Sequence, residues 1–158
     1  MTVSPNAPKA RATAVAAQLA VAAGEALPWR QDDILPQGHS IEFRVTCESF
    51  EHNFTPMPGT ISEWDLPRLP HTRVDTHCYR GYRVPPYYDS LLAKVIVLGP
   101  DRHSAVDRLR RAASQYRIRG VPTSLDLLER LFELDDFHTA DFHTRWLEPA
   151  IAGLQGGE

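Results

Sequence analysis

Residues 41–48 constrain this chain more than any other stretch. Ile41, Phe43, Val45 and Cys47 are apolar, and Glu42, Arg44, Thr46 and Glu48 between them are polar. A period of two predicts a β-strand with one buried face, since successive side chains in a strand point to opposite sides. The same alternation sets Glu42, Arg44, Thr46 and Glu48 in one row on the face turned away from the core. Such a strand needs partners, and residues 60–64, 72–79 and 91–98 have the composition to supply them. Pro56, Pro58 and Gly59 mark a turn before the first of these, and 65–71 reads as a proline-bearing loop. Val84-Pro85-Pro86-Tyr87-Tyr88 interrupts the chain before the last, because proline lacks the N–H that a helix or a central strand requires.

Beyond residue 100 the period lengthens. Val106, Leu109, Ala113 and Tyr116 recur at helical spacing behind Asp101 or Ser104 as N-cap, in a helical region closed by Gly120. Thr123 or Ser124 can cap a second helix carrying Leu125, Leu128, Leu131 and Phe132, and Trp146, Leu147 and Ile151 suggest a short last one. Strands first and helices afterwards predict an α+β domain, a mainly antiparallel sheet packed with helices on one side. With 158 residues, 42% of them hydrophobic, the chain can bury one core. A single domain over 9–152 is therefore expected, with residues 1–8 disordered and 153–158 a flexible tail. The alanine-rich run 12–23 follows Lys9 and Arg11 and superficially looks like a secretory signal. Gln18 interrupts it and Gly24 stands where a helix C-cap falls, so an ordinary helix is expected, too short to span a membrane.

Charge and cysteine content narrow the function classes. Seventeen basic residues against twenty acidic ones, with no long block of either sign, give no footprint for nucleic acid or an anionic membrane. Cys47 and Cys78 form neither a CxxC pair nor a disulfide framework, which fits a reducing compartment and a cytoplasmic location. There is no GxSxG elbow, GxGxxG or GxxxxGK, and the only lysines are Lys9 and Lys94, so covalent hydrolysis and a lysine phosphate clamp are both poorly supplied. His39, His71, His77, His138 and His143 lack zinc-type spacing, and the neighbours His77 and Cys78 point to opposite faces of a strand, so no metal site is expected.

Arg44 stands apart. An arginine in mid-strand is a planar cation held in a pre-set direction, suited to a developing oxyanion, with Glu42 and Glu48 beside it as proton donors or acceptors. The structural alternative is an ion pair, Glu42 with Arg44 or Arg44 with Glu48, on a solvated strand face.

These segments also occur together in one known family. Gly38-His39-Ser40-Ile41-Glu42-Phe43-Arg44 and Asn53-Phe54-Thr55-Pro56-Met57-Pro58-Gly59-Thr60-Ile61 resemble the start of the C-terminal domain of biotin carboxylase. Gly81-Tyr82-Arg83-Val84-Pro85-Pro86-Tyr87-Tyr88-Asp89-Ser90-Leu91-Leu92-Ala93-Lys94 is similar to that family's most recognisable stretch. Gly120-Val121-Pro122-Thr123-Ser124, Phe137 and Trp146-Leu147-Glu148 resemble its end, so the likeness covers about residues 15–150. The resemblance implies that Arg44 binds biotin and stabilises its enolate while carboxyphosphate, made from ATP and bicarbonate, carboxylates the ureido nitrogen. It further implies that Arg73 and Asp89 lie at or near a homodimer interface.

The family's ATP-grasp portion, with its glycine-rich lid, phosphate-binding lysines, metal-holding glutamates and Gln-Val-Glu-His base, has no counterpart in these 158 residues. No cofactor is therefore expected on this chain alone beyond biotin. Three local departures stand out. Pro67-Arg68-Leu69-Pro70-His71 replaces a glycine-rich turn, Ser49-Phe50 replaces Asp-Pro, and Thr144 replaces an apolar residue near the adenine. Three functions follow as expectations. The first is a module of a truncated or split biotin carboxylase, partnered by an ATP-grasp unit or a biotin carrier protein and keeping an exposed apolar face where that unit docks. The second is a repurposed cyclase or isomerase acting on a small-molecule ligand in an exposed Arg44 pocket without ATP. The third is a non-catalytic binding or regulatory subunit.

Overall fold

The computed structural model describes residues 14–27, 29–66 and 68–155; the segment 1–8 expected to be disordered lies outside them. The elements, in chain order, are α1 (Ala14–Ala22), β1 (His39–Thr46), β2 (Glu48–Ser49), β3 (Thr55–Pro56), β4 (Glu63–Asp65), β5 (Thr72–Thr76), β6 (Leu91–Gly99), α2 (Arg102–Gln115), β7 (Arg117–Arg119), α3 (Leu125–Leu131), α4 (Asp135–Thr139) and α5 (Leu147–Gln155). This is the α+β arrangement with antiparallel pairing that strand and helix periodicity predict.

β6 is the central strand, antiparallel to β1 on one side and to β5 on the other. Along it Ala93, Val95 and Val97 are buried, while Lys94, Ile96 and Leu98 between and after them are half-buried. Phe43 and Val45 of β1 and Ala93, Val95 and Val97 of β6 turn one face inward against Leu109, Ala112 and Ala113 of α2 and Leu125 of α3, with Tyr116 just beyond α2 and Phe132 just beyond α3. A second cluster gathers Cys47, Ile61, Cys78, Val84, Leu92 and Val121 at the end of the sheet. Asp101 caps α2 by accepting a hydrogen bond from the Ser104 N–H (2.8 Å), as the sequence predicts.

Several boundaries differ from the sequence reading. β5 stops at Thr76 because its hydroxyl turns back on the backbone, donating to the Leu92 carbonyl (2.6 Å) and accepting from the Cys78 N–H (3.0 Å). Residues 60–62 make only one bridge, Thr60 to Arg83, since the backbone around Ile61 bonds to the loop at Gly81 and Tyr82. The strand begins at Glu63 and pairs with β7, a strand in the region read as helix up to Gly120. Helix α2 ends at Gln115, once its apolar stripe ends on buried Tyr116, and the chain becomes extended there. The short α4 is an element that apolar periodicity does not announce. α5 continues to Gln155, into the segment expected to be a tail, while residues 156–158 lie outside the description.

Helix α1 ends before Gly24, which takes the positive φ (84°) of a C-cap. None of its residues is buried: Val15, Leu19 and Val21 are all more than half exposed.

Candidate functional site around Arg44

Arg44 sits in the middle of β1, opposite Lys94 of β6, which in turn lies opposite Asp75 of β5. The next row outward is Glu42, Ile96 and Arg73. These side chains share the sheet face opposite the helices, so the covered face is apolar and the open face carries charge of both signs. Helix α3 holds β1 at this point. The Ser124 hydroxyl accepts from the Thr46 N–H (3.0 Å) and donates to the Arg44 carbonyl (3.3 Å), and the Ser124 N–H donates to the Thr46 carbonyl (3.0 Å). Ser124 therefore fastens the strand rather than capping α3 with its side chain, and the backbone that carries Arg44 is fixed from both sides.

The Arg44 guanidinium is exposed and makes no side-chain hydrogen bond or ion pair among the described residues, so neither strand-face pair suggested by spacing forms. Glu48 leaves the row because the register shifts between Val45 and Thr46 and β1 ends there. Its carboxylate is instead half-buried, accepting from the Thr46 hydroxyl (3.1 Å) and from the Ser90 hydroxyl. Glu42 stays exposed on Arg44's face, and its charge contributes to holding the Arg73 guanidinium protonated. Arg44, Glu42 and Glu48 line none of the clefts formed around Trp64 and Val74, His77 and Tyr82, Trp146 and Leu154, or Arg108 and Arg111. Arg44 is thus presented outward from a rigid strand.

Arg73 and Asp89 lie far apart. Arg73 is on edge strand β5 and forks onto Asp75, with Nε to Oδ1 at 3.0 Å and Nη2 to Oδ2 at 2.5 Å. That hydrogen-bonded pair holds the Asp75 carboxyl below its ordinary range and the Arg73 guanidinium above its own. Asp89 precedes β6 and accepts from the Leu91 N–H (2.7 Å), an Asx turn that starts the strand. Arg73 stands opposite Ile96, five residues further along β6, or roughly 17 Å at about 3.3 Å per residue.

The remaining sequence candidates are structural. His77 is exposed, its ring edge-on to Tyr82 at 5.2 Å, while Cys78 is buried. Burial pushes both the Cys47 and Cys78 thiols up, and Cys47 donates to the Met57 carbonyl (2.9 Å), so neither is poised as a thiolate nucleophile. His39 bonds to the Arg102 guanidinium (3.1 Å). Ser90 and Ser124, which position Glu48 and Arg44, escape sequence reading because both act from more than 40 residues away.

The biotin carboxylase C-terminal domain model matches residues 42–149. Biotin carboxylase of Nostoc sp. is 40% identical over 131 residues, which are 83% of this chain and 29% of that protein. The 2-oxoglutarate carboxylase small subunit of Hydrogenobacter thermophilus is 43% identical over 131 residues, 83% of this chain and 28% of that one. Among solved structures, the Hydrogenobacter thermophilus 2-oxoglutarate carboxylase biotin carboxylase domain dimer, in complex with MgADP and bicarbonate, superposes with a TM-score of 0.81 at 40% identity. That match covers 89% of this chain and 31% of the other. Rhizobium etli pyruvate carboxylase with acetyl coenzyme A gives 0.82 at 33% identity, covering 90% and 15%. The chain spans less than a third of the length of these relatives.

Proposed function

This chain belongs to the biotin carboxylase C-terminal domain family, and from that premise we propose that it is the biotin-side module of a carboxylase. In this reading Arg44 meets the ureido oxygen of biotin. When the ureido nitrogen loses its proton, negative charge moves onto that oxygen, and a guanidinium already aimed there stabilises it without reorganising. The observation that carries the reading is the state of Arg44: central in β1, anchored through Ser124, exposed and without a side-chain partner among the described residues. Its neighbour Arg73 on the same face is, by contrast, paired with Asp75. Glu48, held by Thr46 and Ser90, fixes the strand end next to the site rather than moving a proton itself.

Activation of bicarbonate with ATP falls, in this proposal, to an ATP-grasp unit, whether joined to this sequence or carried on another chain. Helix α1, apolar all round and leaving Val15, Leu19 and Val21 exposed, supports that reading as an element such a unit covers. The edge of the sheet at β5, which carries Arg73, is the surface this proposal gives to a homodimer contact, in line with the dimer described for the Hydrogenobacter thermophilus domain. The test is an amide NMR titration of the chain with biotin, with and without ADP, on wild type and Arg44→Ala. Saturable shifts confined to residues 42–46 and 124, abolished by the substitution, are expected. A folded wild type whose spectrum ignores biotin, or a mutant that responds equally, would overturn the assignment.

A further inference from the structure

On the helical side of the sheet, away from Arg44, α2 carries Arg108, Arg111 and Gln115 at i, i+3 and i+7, a spacing that sets them along one helix face. They form a cleft of about 420 Å³ with Leu69, Pro70 and His71 of the loop before β5. The loop is held in place: the Leu98 N–H donates to the His71 carbonyl (2.9 Å), and the Thr72 N–H to the Leu69 carbonyl (3.3 Å). His71 has a φ of 57°, a left-handed conformation normally left to glycine, and such residues concentrate where ligands are clamped. The arginines of α2 are not equally engaged. Arg110 pairs with Glu133 (2.5 Å), whereas Arg108 donates to the Leu98 carbonyl and feels the Asp101 carboxylate without forming an ion pair with it. Arg111 is exposed and has no side-chain partner among the described residues. No carboxylate stands among the residues that line the cleft, and the nearby Asp107 faces His103 at 3.6 Å.

We propose that this cleft is an anion site for a phosphate monoester, its phosphate held by the forks of Arg108 and Arg111 with the His71 ring, and its organic group lying on Leu69 and Pro70. Guanidinium forks match the spread oxygens of a phosphate, and the volume exceeds what a bare phosphate fills. The site is independent of the biotin reading, because α2 covers the sheet face opposite Arg44.

The experiment is an amide NMR titration of the full chain with phenyl phosphate, inorganic phosphate, benzoate and chloride at matched ionic strength. Phenyl phosphate is expected to give saturable shifts confined to residues 69–72 and 108–115, at least fivefold tighter than inorganic phosphate. Arg111→Ala is expected to weaken it tenfold or more with the rest of the spectrum unchanged, and His71→Gly, which relieves the backbone while removing the ring, to weaken it severalfold. Shifts that match those with chloride or spread over the surface, tighter binding of benzoate, or wild-type affinity in Arg111→Ala would overturn the assignment.

Discussion

Gly120 and Gly81 offer a matched test of how closely this fold is packed. Their φ angles are 94° and 92°, so alanine at either carries the same backbone strain, about 1–2 kcal/mol for a side chain in a left-handed conformation. What differs is the space. A Cβ on Gly81 meets nothing within 4 Å, whereas one on Gly120 comes to 2.3 Å of the Thr60 carbonyl oxygen and 2.7 Å of the Ser62 nitrogen. Relieving that overlap pushes residues 60–62 away from residues 119–120. The shift stretches the bond from the Ser62 N–H to the Arg119 carbonyl (2.8 Å) and loosens the β4–β7 pairing. A strained contact costs about 1–3 kcal/mol and a lost hydrogen bond about 1 kcal/mol. Gly120→Ala is therefore expected to destabilise by about 3–6 kcal/mol and Gly81→Ala by about 1–2 kcal/mol. For a chain of this size that corresponds to a fall in Tm of about 6–24 °C against about 2–8 °C. Thermal unfolding followed by circular dichroism reads both. Equal falls, or a larger one for Gly81→Ala, would refute the claim that backbone proximity at Thr60 dictates glycine at position 120.

Other perturbations have defined outcomes. The Tyr116 hydroxyl is buried with no partner among the described residues, and burial pushes its pKa up, so Tyr116→Phe should leave urea stability unchanged or raise it by about 1–2 kcal/mol. Leu109 is fully buried between α2 and the sheet, and Leu109→Ala should cost about 2–5 kcal/mol in urea unfolding with an unchanged m-value. Asp101 accepts the Ser104 N–H, and this bond lowers its carboxyl pKa. Because the folded-state pKa is the lower one, the cap stabilises fully above the ordinary carboxylate range and fades as pH falls through and below it. Asp101→Asn, which keeps an acceptor, should flatten that acid-side loss in a Tm-versus-pH series.

The legible parts of this fold are those in which a local pattern and the tertiary demand coincide. β1, β6 and α2 announce themselves because alternation, an apolar run and an N-cap aspartate each read within ten residues. β4 and β7 do not, since each is three residues long and finds its partner more than 50 positions away. The face occupied by Arg44 follows from period two alone, but its freedom from Glu48 depends on a register shift that alternation cannot reveal. Ser124 shows the same limit: its position suggests a cap, and only the approach of α3 to β1 makes it a strand anchor.

The most direct test of the central claim is turnover in a chimaera. The C-terminal domain of the Hydrogenobacter thermophilus 2-oxoglutarate carboxylase small subunit is replaced by residues 14–155 of this chain, and biotin-dependent phosphate release from ATP is measured with bicarbonate present. Our account predicts biotin-stimulated turnover that Arg44→Ala lowers about 10²–10³-fold, the effect of removing one oxyanion donor, with the mutant's Tm unchanged. A folded chimaera with no biotin-stimulated turnover, or an Arg44→Ala version active within a few-fold of its parent, would contradict it.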